Sequence, residues 1–105
     1  MKLTVHERLI VPALLPDKED FLTLRILRKL REELSFTEEE HKKFKIKVDG
    51  TQVYWDKKAD DDPKDIEFGD IATKLIVEKL KSMNEKKELT ADHISLYEKF
   101  VEKLN

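Results

Sequence analysis

Between Leu22 and Leu34 the chain carries more apolar surface than one side of a helix needs, and this constrains the fold more than any other feature. At helical spacing, Leu22, Leu24, Ile26, Leu27, Leu30 and Leu34 fill an arc of roughly 200°. Only a stripe of Arg25, Arg28, Lys29 and Glu32 is left for solvent. A helix apolar around more than half its circumference belongs inside a domain, so this segment is expected to be the central helix. It begins between Asp17 and Asp20, where an acidic first turn (Asp17, Glu19, Asp20) precedes basic later turns, as the helix macrodipole favours.

What surrounds it follows from the local signals. Thr4 and Glu7 form a capping box that opens a first helix, which Pro12 should end early because it lacks an N–H and crowds the preceding turn. The connector Ala13-Leu14-Leu15-Pro16 is expected to pack under the central helix. Thr37 and Glu40 form a second capping box, with Phe36 placed as its staple, opening a two-turn helix from Glu38 to Phe44. Lys45-Ile46-Lys47-Val48 and Val53-Tyr54-Trp55 then alternate about Asp49-Gly50, a favoured two-residue turn, and predict a β-hairpin. The stretch from Lys57 to Lys64 holds nothing larger and apolar than Ala59, and it ends with Pro63 beside Lys64, which predicts an exposed, mobile loop. Asp65 to Phe68 alternates again and predicts a short third strand, extending the hairpin to a three-stranded sheet. Gly69-Asp70 opens a helix running from Ile71 to about Met83, and Leu89-Thr90 staples and caps a last one from Ala91 to Leu104.

The expected fold is a small single α+β domain spanning 1–105, with about five helices and a β-hairpin. Three helices followed by a hairpin give its first half a winged-helix-like order. Leu, Ile, Val and Phe make up 32 of 105 residues, which supplies a core despite a charged fraction of 42%. Lys+Arg 21 against Asp+Glu 23 leaves a net charge of -2, against both a polybasic nucleic-acid tail and an acidic disordered one. With no cysteine, disulfides, thiol catalysis and thiolate metal sites are excluded. No apolar run approaches the ~18 residues of a membrane span. A signal peptide is not expected either, since Glu7 and Arg8 precede an apolar run that stops at Pro12.

Chemistry is sparsely marked. His6, His41 and His93 have no partner at i+3 or i+4 to share a metal, and His93 is expected to pack or to bond locally. Asp60-Asp61-Asp62 lacks the alternation, glycine and closing Glu of a calcium loop and reads as a solvated acidic loop. Ser35, Ser82 and Ser95 lack the glycine-flanked turn that presents a nucleophile, and Gly50 and Gly69 alone cannot build a phosphate cradle. No enzyme activity, cofactor or metal is expected.

Two binding readings remain. In the first, the protein docks a protein partner. Tyr54 and Trp55 are neighbours on one strand, so one ring enters the core and the other stands outside as an anchor. Val5, Leu9, Ile10 and Val11 exceed what a short helix face needs, which points to a homodimer contact through Leu9 and Ile10. In the second, Lys42, Lys43, Lys45 and Lys47, joined by Arg25, Arg28 and Lys29, contact nucleic-acid phosphates. Against it, the helix that would enter the major groove begins Glu38-Glu39-Glu40 and lacks the Arg, Asn and Gln that read bases.

The opening Leu-Thr-Val-His-Glu-Arg-Leu-Ile-Val-Pro-Ala-Leu-Leu-Pro and the later Leu-Thr-Ala-Asp-His-Ile-Ser-Leu-Tyr-Glu-Lys-Phe-Val resemble short proteins of tailed phages and prophages. That family has no assigned activity, so no residue role is carried over. The resemblance implies an accessory or virion-associated protein acting in the bacterial cytoplasm or in a phage particle.

Overall fold

Thr4 closes the first capping box as expected: its hydroxyl accepts from the Glu7 amide at 3.2 Å, and the Glu7 carboxylate accepts from the Thr4 amide at 3.0 Å. The computed structural model describes residues 1–103, and from this cap α1 runs over Val5–Leu14. Pro12 lies within it and does not end it early. Sited in the last turn, it forfeits a single intrahelical bond, and the Pro12 carbonyl still accepts from the Leu15 amide at 3.3 Å.

α1 is also the central helix, the place the sequence assigns to the next one. Its only exposed residue is Ala13. Val11 and Leu14 enter the main core with Leu27, Leu30 and Leu34 of α2 (Phe21–Leu34) and with Ala72, Ile76 and Leu80 of α4 (Gly69–Glu85). On another side Val5 enters a second, smaller core with Phe44 and Ala59, which Phe36, Ile46 and Trp55 help to cover. α2 is less enclosed than its leucine pattern predicts. Only Leu27, Leu30 and Leu34 are buried, while Phe21 and Leu22 stand 76% and 63% exposed. Helical periodicity shows which face is apolar and says nothing of how far along the helix a neighbour covers it.

The order of α1, α2, α3 (Glu38–Lys43) and a hairpin is the expected one, and the molecule is a small α+β domain. Strand pairing departs from expectation. β2 (Lys47–Asp49) and β3 (Gln52–Tyr54) form one antiparallel two-stranded sheet. The third strand, β4 (Lys64–Asp65), does not join them; it pairs with β1 (Lys2–Leu3), setting Lys2 opposite Asp65 and Leu3 opposite Lys64. Ile66 and Phe68 then drop into the main core.

The hairpin register also differs. Asp49 pairs with Gln52, so the turn residues are Gly50 and Thr51 and not Asp49 and Gly50. Gly50 has φ +63° whereas Thr51 has an ordinary negative φ, the requirement of a II′ turn with glycine first. The partner of Val48 thereby becomes Val53 instead of Thr51, with every side chain kept on its expected face. β2 starts at Lys47 because Lys45, at φ +53°, ends α3 in a left-handed cap, and the Ile46 amide returns to the His41 carbonyl at 3.1 Å.

The stretch from 57 to 64 is not a bare loop. Lys57–Asp61 forms a 3₁₀ turn capped by Asp56, and Ala59 is buried in the second core. Its smallness is what lets the turn pack close against Phe44 and Val5. The chain beyond α4 is a 3₁₀ turn (Ala91–His93), α5 (Ile94–Tyr97) and a π-helical turn (Glu98–Glu102), bringing Leu96 and Phe100 into the main core. Leu104, the expected end of the last helix, lies outside the described residues.

Candidate functional site

The hairpin is the part of the fold that the cores do not use. Every residue from Lys47 to Gln52 is exposed. Ile46, Val48, Val53 and Trp55 share one face, and Lys47, Asp49, Gln52 and Tyr54 share the other. At the base, Ile46 and Trp55 rest on the second core; toward the tip, Val48 is left 70% exposed. Tyr54 stands 53% exposed on the opposite face, its hydroxyl donating to the Gln52 side chain. The two aromatics thus divide as expected, Trp55 half-buried and Tyr54 outside. Between them and the 3₁₀ turn lies a hollow of about 270 Å³ lined by Val53, Tyr54, Trp55, Lys57 and Asp60.

Trp55 is fixed from behind. The His6 ring stacks on it at 5.9 Å, and His6 Nε2 lies 3.2 Å from Asp92 Oδ1, so α1 joins the hairpin base to the segment after α4. His93, read as a local binder, accepts from the Thr90 amide through Nδ1 at 3.0 Å and completes that cap. His41 packs edge-on to Phe36 at 6.1 Å. Among the described residues no three His, Asp or Glu side chains gather as a metal site, and no helix is long and apolar enough to cross a membrane.

Leu9 and Ile10 are both half-buried, Leu9 against the second core and Ile10 against the main one. The apolar surplus on α1 is thus taken up inside the chain, because this helix has a core on each of two sides. Arg25, Arg28, Lys29, Lys42, Lys43, Lys45 and Lys47 are all exposed. Lys29 shares a cleft with Glu33 and Glu67. Lys43 Nζ lies 2.5 Å from Asp62 Oδ2 in a hollow also lined by Glu39, Glu40 and Lys64. Asp62 raises the Lys43 pKa through this hydrogen bond and its charge. Carboxylates are interleaved with the cations at both places.

Two buried charged residues escape sequence reasoning. Arg8 donates from Nε to the Leu34 carbonyl at 3.2 Å and from Nη2 to the Ser35 carbonyl at 2.7 Å. It also grips both oxygens of Glu40, at 2.6 and 3.1 Å, and lies 4.0 Å over the Phe36 ring. One guanidinium so ties α1 to the end of α2 and the start of α3. Beside it Glu7 Oε1 accepts from Lys99 Nζ at 2.6 Å. Burial pushes the Glu7 carboxyl up, but the Lys99 ammonium, the Thr4 amide and the Ser95 hydroxyl together hold it below its ordinary value.

Hydrogen bonds from Arg8 hold the Glu40 carboxyl down, from 4.5 to about 2, against a smaller opposing effect of burial. A depressed folded-state pKa contributes stability that is complete above the unfolded value and disappears as pH falls through the folded one. Glu40 should therefore contribute about 2–3 kcal/mol at neutral pH, lost between roughly pH 5 and pH 2. Urea denaturation of wild type and Glu40→Gln at pH 7, 4 and 2.5 tests this. The stability gap should close with acid, and a gap independent of pH would refute it.

No family model matches the chain, and neither curated proteins nor solved structures give a match.

Proposed function

We propose that the protein is a non-enzymatic interaction module that docks a protein partner on the β2–β3 hairpin and the hollow beneath it. One observation carries this reading: the hairpin keeps Val48 and Tyr54 in solvent on its two faces while its base is anchored through Trp55. Enclosing a valine is worth roughly 1.5–3 kcal/mol, which the fold itself leaves ungained at Val48. A rigid aromatic beside an apolar hollow is the kind of feature that dominates binding energy. The resemblance to short tailed-phage proteins supports an accessory role in a bacterial cytoplasm or a virion.

Photo-crosslinking tests the reading. With p-benzoylphenylalanine in place of Tyr54, expressed in the bacterial host, a discrete protein adduct should form and should disappear when Val48→Asp is added. The same probe in place of exposed Lys81 on α4 should give none. Equal adducts from both positions, or none from position 54, would refute the hairpin as the working surface. Steeply salt-dependent binding of a labelled DNA duplex, abolished by charge reversal at Lys43 and Lys45, would assign the protein to nucleic acid instead.

A further inference from the structure

The outer edge of β2 is unpaired. Asp49 and Gln52 flank a two-residue turn and so form a hydrogen-bonded pair. Antiparallel pairing alternates, which leaves the Val48 amide and carbonyl pointing away from β3. Among the described residues nothing pairs with these groups, and the sheet has no third strand.

The side chains of this edge are self-complementary. A second β2 laid antiparallel about a two-fold axis through Val48 places Val48 against Val48 of the second copy. The two strands then exchange two hydrogen bonds at that residue. The same axis sets Lys47 opposite Asp49 of the second copy, and Asp49 opposite its Lys47, giving two opposite-charge cross-strand pairs. Neither charge is engaged at home: across the hairpin Lys47 faces Tyr54 and Asp49 faces Gln52, and no ion pair joins either one to another described residue. The next pair sets Ile46 opposite Gly50, which has no side chain and no neighbour within 4 Å of where a Cβ would stand. Lysine on an edge strand ordinarily discourages such pairing; an aspartate two residues away reverses that effect for this one partner.

We propose that the protein self-associates through antiparallel β2–β2 pairing, forming a four-stranded sheet across a two-fold axis at Val48. The proposal rests on the hairpin being the working surface, and it leaves the hollow beside Tyr54 on the β3 side open. The strands are short, so the contact falls below the roughly 1,200 Å² of a stable interface and the dimer is weak and reversible.

Sedimentation velocity over roughly 10 µM to 1 mM reads this range. The wild type should shift from monomer toward dimer as concentration rises. Lys47→Asp and Asp49→Lys each set like charges opposite one another at two symmetric places and should weaken association about tenfold. The double variant Lys47→Asp/Asp49→Lys restores opposite charges and should restore the dimer. Circular dichroism confirms that each variant is folded. A wild type that stays monomeric at the highest concentration overturns the proposal, as does a dimer indifferent to these charges or a double variant that fails to recover. A non-self adduct from position 54 would survive any of those results, whereas loss of the hairpin reading would show as no adduct at all.

Discussion

Arg8→Ala should lower the unfolding free energy by about 3–5 kcal/mol, the range for removing one partner of a buried ion pair. At 2% exposure the guanidinium makes four hydrogen bonds, to two backbone carbonyls and both oxygens of Glu40. The truncation leaves the Leu34 and Ser35 carbonyls at the end of α2 without their donor and strips Glu40 of its counter-charge. Arg8→Lys is the informative companion. A single ammonium cannot reproduce the planar fork that reaches a carboxylate and two carbonyls together, so it should recover only part of the loss. Urea midpoints for both variants at pH 7 make the test; a change below about 1 kcal/mol for Arg8→Ala would contradict the role assigned here.

Phe100→Ala should cost about 3–5 kcal/mol through a different cause, the emptying of a core site. Phe100 is buried in the π-helical turn and meets Phe68 edge-to-face, with ring centroids 5.0 Å apart. The π turn lets the chain carry one extra residue per turn there and end in a left-handed Lys103 at φ +57°. Phe100→Leu refills much of the volume and should cost clearly less. Combining Phe100→Ala with Phe68→Ala should show a coupling of about 0.5–1.5 kcal/mol beyond additivity, as an aromatic pair predicts. Limited proteolysis adds a spatial readout, because cleavage in the variant should begin between residues 90 and 103. Thermal melts unchanged by Phe100→Ala would remove this segment from the core.

Local chemistry was legible in the sequence wherever it was complete within a few residues. Thr4 with Glu7 and Thr37 with Glu40 could be read as capping boxes because both halves lie on one turn. The hairpin could be read from alternation, yet its register could not, since Asp49-Gly50 and Gly50-Thr51 both satisfy a two-residue turn. What failed was ranking. α2 shows six leucine and isoleucine residues and reads as the centre, whereas α1 holds the centre while carrying His6, Glu7, Arg8 and Pro12. Charge along a helix normally signals solvent. Here each charge finds its partner 32 to 92 positions away, and no local pattern can announce that. The two-residue strand β1 and the buried Ala59 were hidden for a related reason, being too short or too small to produce a periodic signal. At the candidate site, the in-and-out division of Tyr54 and Trp55 was legible from strand geometry. The exposure of Val48 depends on how far the hairpin overhangs the second core, which only the assembled fold determines.

The pairing of β1 with β4, and of Glu7 with Lys99, has a consequence for how the chain is made. A ribosome releases α1 early, but the ammonium that neutralises its buried carboxylate lies 92 residues downstream. Lys2 waits even longer, its carbonyl accepting from Lys99 across 97 positions. Such distant closures are slow and must be entropically financed before they stabilise anything. A nascent chain halted near position 65 can close its caps, its hairpin and the second core, but the flank of α1 that meets Ala72, Ile76, Leu80 and Leu96 stays open to water. One side of the central helix of the finished protein therefore stays uncovered until α4 and residues 94–102 can pack against it.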